Sequence, residues 1–187
     1  MSYKTIFPSL PGEPKKLEPV ERALLSEVYG VHVIGSRSAD GAYNLMLADW
    51  VMQVSFRPRL VAVSLENDAR TLRFVRETGL FTVNLLHEKD GEEIARKVVM
   101  PAEAAKVRGR SPEEAAKVID KLERVPHAFT ERGVPIVTQA LAWYECQAEQ
   151  FVPVGDHTLV IGRVLDGDVL RTGEMLTEKE LGWEYAG

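Results

Sequence analysis

Asn44-Leu45-Met46-Leu47-Ala48-Asp49-Trp50-Val51-Met52-Gln53-Val54-Ser55 is the stretch on which the reading of this chain turns. Residues 42–48 and 51–56 are apolar and strand-forming, and only Asp49-Trp50 separates them, so two successive strands are expected. Working outward, Asp40-Gly41 is a tight-turn signal, because glycine tolerates positive φ. Before it, residues 28–36 carry enough β-branched side chains for a strand. After it, Arg57-Pro58-Arg59 punctuates the sheet and residues 60–65 resume it. Adjacent strands joined by short turns favour an antiparallel sheet, and closure into a barrel would remove its edges. A doubly wound parallel sheet would need a more regular β–α alternation.

The middle of the chain is helical by pattern. Residues 68–78 read as a helix with Asp68 as N-cap, Leu72 and Val75 facing inward, and Gly79 as the stop. Phe81, Val83 and Leu85 alternate with Thr82 and Asn84, a half-buried strand. Asp90 and Glu93 have capping-box spacing. Ser111-Pro112-Glu113-Glu114 repeats it, with Ala115, Val118, Ile119 and Leu122 on one helical face. In the last third, Ala142, Tyr144, Cys146 and Ala148 alternate with polar residues, and residues 158–164 follow a Gly155-Asp156 turn. Pro8, Pro11, Pro14 and Pro19 make residues 1–19 an extended arm. Pro19 suits the first turn of a short helix, with Val20, Ala23 and Leu24 on one face.

Composition narrows the function. The 187 residues carry 23 basic and 28 acidic side chains, a net charge of −5. Nucleic-acid binders show a basic excess, so no nucleic-acid partner is expected. No apolar run approaches a membrane span and the first 16 residues hold no continuous apolar segment, so neither membrane nor signal peptide is expected, and the location expected is cytoplasmic. The single cysteine, Cys146, excludes an intrachain disulfide and any multi-cysteine metal site. It reads as a buried small hydrophobe. The four histidines lack paired metal-ligand spacing, so no metal is expected. Dinucleotide-binding G-x-G-x-x-G, P-loop and nucleophile-elbow motifs are absent.

Three features carry chemistry. The first is the opening stretch, which mixes apolar walls with hydrogen-bonding groups, as a flat heteroaromatic ligand requires. The same pattern also suits a barrel strand with Trp50 in the core. The second is Glu66-Asn67-Asp68-Ala69-Arg70-Thr71, where a helix N-terminus, a cation and a hydroxyl converge as a phosphate would need. Asp68 counts against this, since a capping carboxylate repels a second anion, and the segment also suits a plain capped helix. The third is Gly155-Asp156-His157-Thr158. A histidine at a strand mouth, oriented by a neighbouring carboxylate, can donate a proton or stack on a ring. It also suits a simple turn.

In this order the features resemble the flavin reductase-like family, whose members bind flavin on a split β-barrel. Four segments carry the likeness: residues 29–34, residues 44–55 with Arg57-Pro58, residues 81–86 and residues 155–164. The resemblance implies a mainly β fold with α, an antiparallel, Greek-key-like FMN-binding split β-barrel. It would occupy residues 20–187 as one domain, with residues 87–127 as a helical insertion. It implies a homodimer that binds FMN, with FAD as the other option, and uses NAD(P)H as cosubstrate. Leu47, Ala48, Asp49 and Trp50 would line the isoalloxazine, partly through backbone groups. Gln53 and Ser55 would meet the ribityl and phosphate groups, and Arg70 and Thr71 would hold the phosphate. His157 would lie where nicotinamide approaches. The expected function is an NAD(P)H:flavin reductase-like oxidoreductase with a small-molecule or protein electron acceptor. The alternative is a flavoredoxin-like FMN electron carrier without a nicotinamide site. Leu45, Leu47 and Asp49 depart from the family's glycine, threonine and asparagine. Asp49 would oppose charge on reduced flavin and lower its potential.

Overall fold

Alternating apolar and polar residues bury one face of a strand, and a break in that alternation ends it. In the computed structural model, which describes residues 18–99 and 121–182, these patterns become nine strands and four short helices. In chain order they are α1 (Pro19–Leu24), β1 (His32–Arg37), β2 (Tyr43–Ala48), β3 (Val51–Phe56), β4 (Arg59–Glu66), α2 (Arg70–Thr78), β5 (Leu80–Leu85) and α3 (Gly91–Val98). A single 3₁₀ turn (Leu122–Arg124) precedes β6 (His127–Phe129), β7 (Pro135–Val137), β8 (Ala142–Val154), β9 (His157–Val169) and α4 (Glu178–Leu181).

Seven strands form one sheet in the order β2-β1-β5-β8-β9-β4-β3, with every neighbouring pair antiparallel. β6 and β7 make a separate hairpin. β2 and β3 are the two edges of the sheet, yet they are consecutive in sequence. The sheet must therefore curl until Asp49-Trp50 joins its edges at one corner. It is not closed, which makes it a split barrel.

The curl divides the core in two. Ile34, Val63, Leu65, Phe81 and Val160 fill the inside with Leu72 and Val75 of α2. The other face packs Val31, Val33, Leu45 and Leu86 against Ile94, Ala95 and Val98 of α3 and Leu122 near the 3₁₀ turn. Each such side chain contributes roughly 1.5–3 kcal/mol through burial. The interior is tight: a Cβ on Gly162 would lie 2.6 Å from the Phe81 ring. A planar cofactor therefore has no place inside the barrel.

Several expectations shift. β1 starts at His32, because Val31 donates its N–H to the Leu176 carbonyl and Gly30 bridges Thr177. α2 starts at Arg70 and its N-cap is Ala69, not Asp68. The Ala69 N–H is bonded to the Glu66 carbonyl, which places Asp68 inside the preceding turn. Asp90 does cap α3 by position but makes no side-chain cap bond. Its carboxylate accepts instead from Arg171 at 2.8 and 2.9 Å. Glu93 pairs with Lys97, so no capping box forms there. α1 buries none of its residues. Cys146 is fully buried, and desolvation first, Glu145 second, pushes its thiol up to about 12. The Ser111–Glu114 device and nearly all of the residue 1–19 arm lie outside the described residues.

Candidate functional site

The corner at Asp49-Trp50 is where the sheet brings distant segments together. β4 lies between β3 and β9, with Glu66 opposite His157 and Val51 opposite Val63. The Trp50 carbonyl accepts the Ser64 N–H, which holds the corner against β4. Trp50 is 37% exposed and does not enter the core. Its ring lies 5.1 Å from that of His157, centroid to centroid, at an interplanar angle of 44°. His157 in turn has Nδ1 2.7 Å from Asp156 Oδ1. An ionised carboxylate only accepts, so Nδ1 carries the proton. This hydrogen bond, and then the His157 charge, holds Asp156 below the usual carboxylate range.

Asp49 behaves differently. Desolvation raises its carboxyl above the usual range, and backbone donors and His157 only partly offset it. Next to it, Ala48 pairs with His32 of β1. His32 is 6% exposed, and burial pulls its imidazole down to about 4, against weaker opposing effects from the Ala48 and Gly30 backbone. Leu47 and Ala48 point to opposite faces of β2, Leu47 toward the α3 core and Ala48 toward the barrel interior. Neither projects a polar group, so only their backbone could hydrogen-bond a ligand.

The start of α2 forms the second part of the site. Its first turn holds no acidic residue and its N-cap makes no side-chain bond, so the first N–H groups keep their outward partial positive charge. The Arg70 guanidinium packs over Phe74, 4.9 Å from the ring centre. Thr71 is fully buried, and its Oγ1 accepts from Asn44 Nδ2 at 2.8 Å. That bond ties α2 to β2, the strand that leads into the Asp49-Trp50 corner. Asn44 Oδ1 remains a buried acceptor with no partner among the described residues.

A second link closes the arrangement. Asn67 receives Thr158 Oγ1 on its Oδ1 at 2.8 Å and donates Nδ2 to the Gly155 carbonyl at 3.1 Å. Its own N–H bonds the Asp156 carbonyl. Gly155 turns with φ +63°, which only glycine adopts without strain. The loop before α2 is thus clasped to the turn that carries His157. Asn67 stood in the quoted sequence segment, but nothing local marked it as a clasp. Gln53 and Ser55 sit apart, on β3 at the far edge of the sheet. Gln53 is exposed and spends its amide on the Ser55 carbonyl at 3.1 Å.

A cation and the first-turn amides of a helix without acids in that turn suit a phosphate. A part-exposed indole beside an imidazole suits a flat ring. The residues present therefore fit a flavin nucleotide laid across the outside of the barrel. Comparison with known proteins agrees. A ferric-chelate reductase (NAD(P)H) of Archaeoglobus fulgidus is 30% identical over 150 residues, 80% of each chain. A high molecular weight rubredoxin of Moorella thermoacetica is 27% identical over 157 residues, 83% of this chain and 62% of that protein. Among solved structures, BorF, the flavin reductase component of a bacterial two-component tryptophan halogenase, superposes with a TM-score of 0.68 at 26% identity. The match covers 84% of this chain and 90% of that one. The flavin reductase like domain model matches residues 25–180, nearly the whole described fold, and the chain belongs to that family.

Proposed function

We propose that this protein is an oxidoreductase that takes hydride from NADH or NADPH and passes electrons through bound FMN to a separate acceptor. The observation that carries this reading is the pairing of an acid-free, Arg70-bearing helix start with an exposed Trp50–His157 corner, joined through the Asn44–Thr71 bond. The bound flavin supplies the hydride and electron chemistry.

The chain's part is to hold and aim. Arg70 and the first amides of α2 take the phosphate. Thr71, engaged by Asn44, sets the distance between helix and strand and offers its backbone N–H. Residues 47–50 border the ring through main-chain groups, with Trp50 as a wall. Gln53 and Ser55 of β3 are assigned the ribityl chain. His157, fixed by Asp156, guides the nicotinamide.

The protein works as a homodimer in this proposal. Met52, Val54 and Phe56 on the edge strand β3 are 61%, 43% and 84% exposed. An apolar edge of this kind calls for a partner, and a second copy would also wall the ring site. The acceptor is a small molecule or protein, and a ferric chelate is the class named by the Archaeoglobus relative. The expected location is the cytoplasm, and among the described residues no helix is long and apolar enough to cross a membrane.

A second reading, an FMN electron carrier without a nicotinamide site, draws support from the Trp50 ring lying against His157, the residue assigned to guide nicotinamide. One experiment separates the two. The purified protein is loaded with FMN, its visible spectrum taken, and NADH or NADPH added without oxygen. Bleaching of the flavin band supports the reductase, and a yellow protein that neither reductant bleaches supports the carrier. A chain that binds no flavin overturns both.

A further inference from the structure

We infer that Asn67 is a positioning residue for the reductant: its amide fixes the turn that carries His157, and so the place where that ring meets nicotinamide. The inference rests on the role proposed above for His157. The ladders of β9 with β4 and with β8 both end at His157, which pairs with Glu66 on one side and Val154 on the other. Gly155 and Asp156 lie beyond the last rung, and Asn67 follows Glu66 directly. Strand pairing therefore stops one step short of the turn, and Asn67 takes over there.

It does so with three bonds. Its Nδ2 donates to the Gly155 carbonyl at 3.1 Å, its Oδ1 accepts from Thr158 Oγ1 at 2.8 Å, and its main-chain N–H donates to the Asp156 carbonyl at 3.0 Å. These partners flank His157 on both sides. The two side-chain partners are 88 and 91 residues away in sequence, so the amide is spent on a remote turn and not on its own loop, where asparagine commonly bonds. Thr158 extends the hold. It is buried, and its hydroxyl also accepts from Arg76 Nη2 at 3.4 Å, while the Arg76 guanidinium packs 4.8 Å from the centre of the Phe151 ring.

Asp156 alone does not supply this hold. Its side chain is 92% exposed, against 12% for His157, and an exposed carboxylate on the turn moves with the turn. Asn67 is itself exposed, so its bonds compete with water and each adds little to stability. They matter more as geometry, since a shift of about 1 Å in a positioning group costs on the order of a hundredfold in rate.

The test reads the His157 ring first and the reductant second. In the flavin-free protein, the His157 Cδ2–H and Cε1–H proton resonances, assigned by their loss in His157→Gln, should be displaced by the ring current of Trp50. In Asn67→Ala they should move toward random-coil positions, and unchanged resonances overturn the inference. In the FMN-loaded protein, Asn67→Ala should raise KM for NADH or NADPH roughly threefold to thirtyfold and leave FMN affinity within about twofold. Thr158→Val should show part of that rise, and Thr158→Ser should remove it. In a His157→Gln background, Asn67→Ala should add no further rise, because Asn67 acts through that ring. An additive rise overturns the inference, and so does an unchanged KM in Asn67→Ala. A flavin-loaded wild type that neither NADH nor NADPH reduces overturns the reductase reading, and with it the role of Asn67 toward nicotinamide, whatever the resonances show.

Discussion

The two ends of the candidate site follow opposite electrostatic plans. At the α2 end, Arg70 opens a helix that has no acid in its first turn. At the corner end, one carboxylate is desolvated and a nearby histidine is held neutral by burial. In the proposed site the first end meets the phosphate of the ligand. The second already holds a carboxylate of its own, Asp49, where the resemblance expects an uncharged asparagine. The contrast makes affinity and redox tuning separable in the proposed site, where the tail end sets how tightly a flavin nucleotide is held and the corner sets what the ring does once held.

Acid should separate the ends most strongly. The His32 imidazole titrates near 4 when folded and near 6.5 when unfolded. Between those values the unfolded chain binds more protons, so stability is lost as pH falls from about 6.5 to 4, by about 3 kcal/mol. Urea unfolding of the flavin-free protein at pH 7 and pH 4.5 would show it. His32→Gln should flatten that slope, and an unchanged slope would place the acid sensitivity elsewhere.

Next in size, Arg70→Ala should weaken FMN by about 1.5–3 kcal/mol. Riboflavin should bind nearly as before. If both ligands weaken alike, Arg70 supports the corner as well as the tail, and the division into two ends fails. The effect should also shrink as salt is raised, since part of it is screened Coulomb attraction.

The smallest of the three lies at the corner. Replacing Asp49 by Asn removes a carboxylate that disfavours negative charge on the ring, so the flavin potential should rise by on the order of tens of millivolts. FMN affinity should change little, because in the proposed site Asp49 faces the ring and not the phosphate. Redox titration of wild type and Asp49→Asn checks this, and equal potentials would remove any tuning role from Asp49.

Much of the architecture was legible because it is local. Alternation marked β3 to the residue and β2, β4 and β5 to within a residue or two, and the Gly155-Asp156 turn between β8 and β9 was plain. The N-cap of α2 was misread by one residue. Ala69 takes the cap because Glu66 accepts its N–H, a turn that side-chain identity does not announce. The β6–β7 hairpin was also missed, since three-residue strands are too short for a period to show. The resemblance pointed to Arg70, Trp50 and His157 as members of one site, but not to how they meet.

What the sequence alone determined is each strand's inward face and the chemical character of the site's parts, because both depend on side chains a few positions apart. What only the tertiary structure decided is which of those parts touch. Trp50 reaches His157 across β4, Asn67 clasps the His157 turn, and Lys121 reaches the Leu45 carbonyl of β2. These contacts span tens of residues or more. Their geometry is set by strand order and the curl of the sheet, which no local pattern encodes.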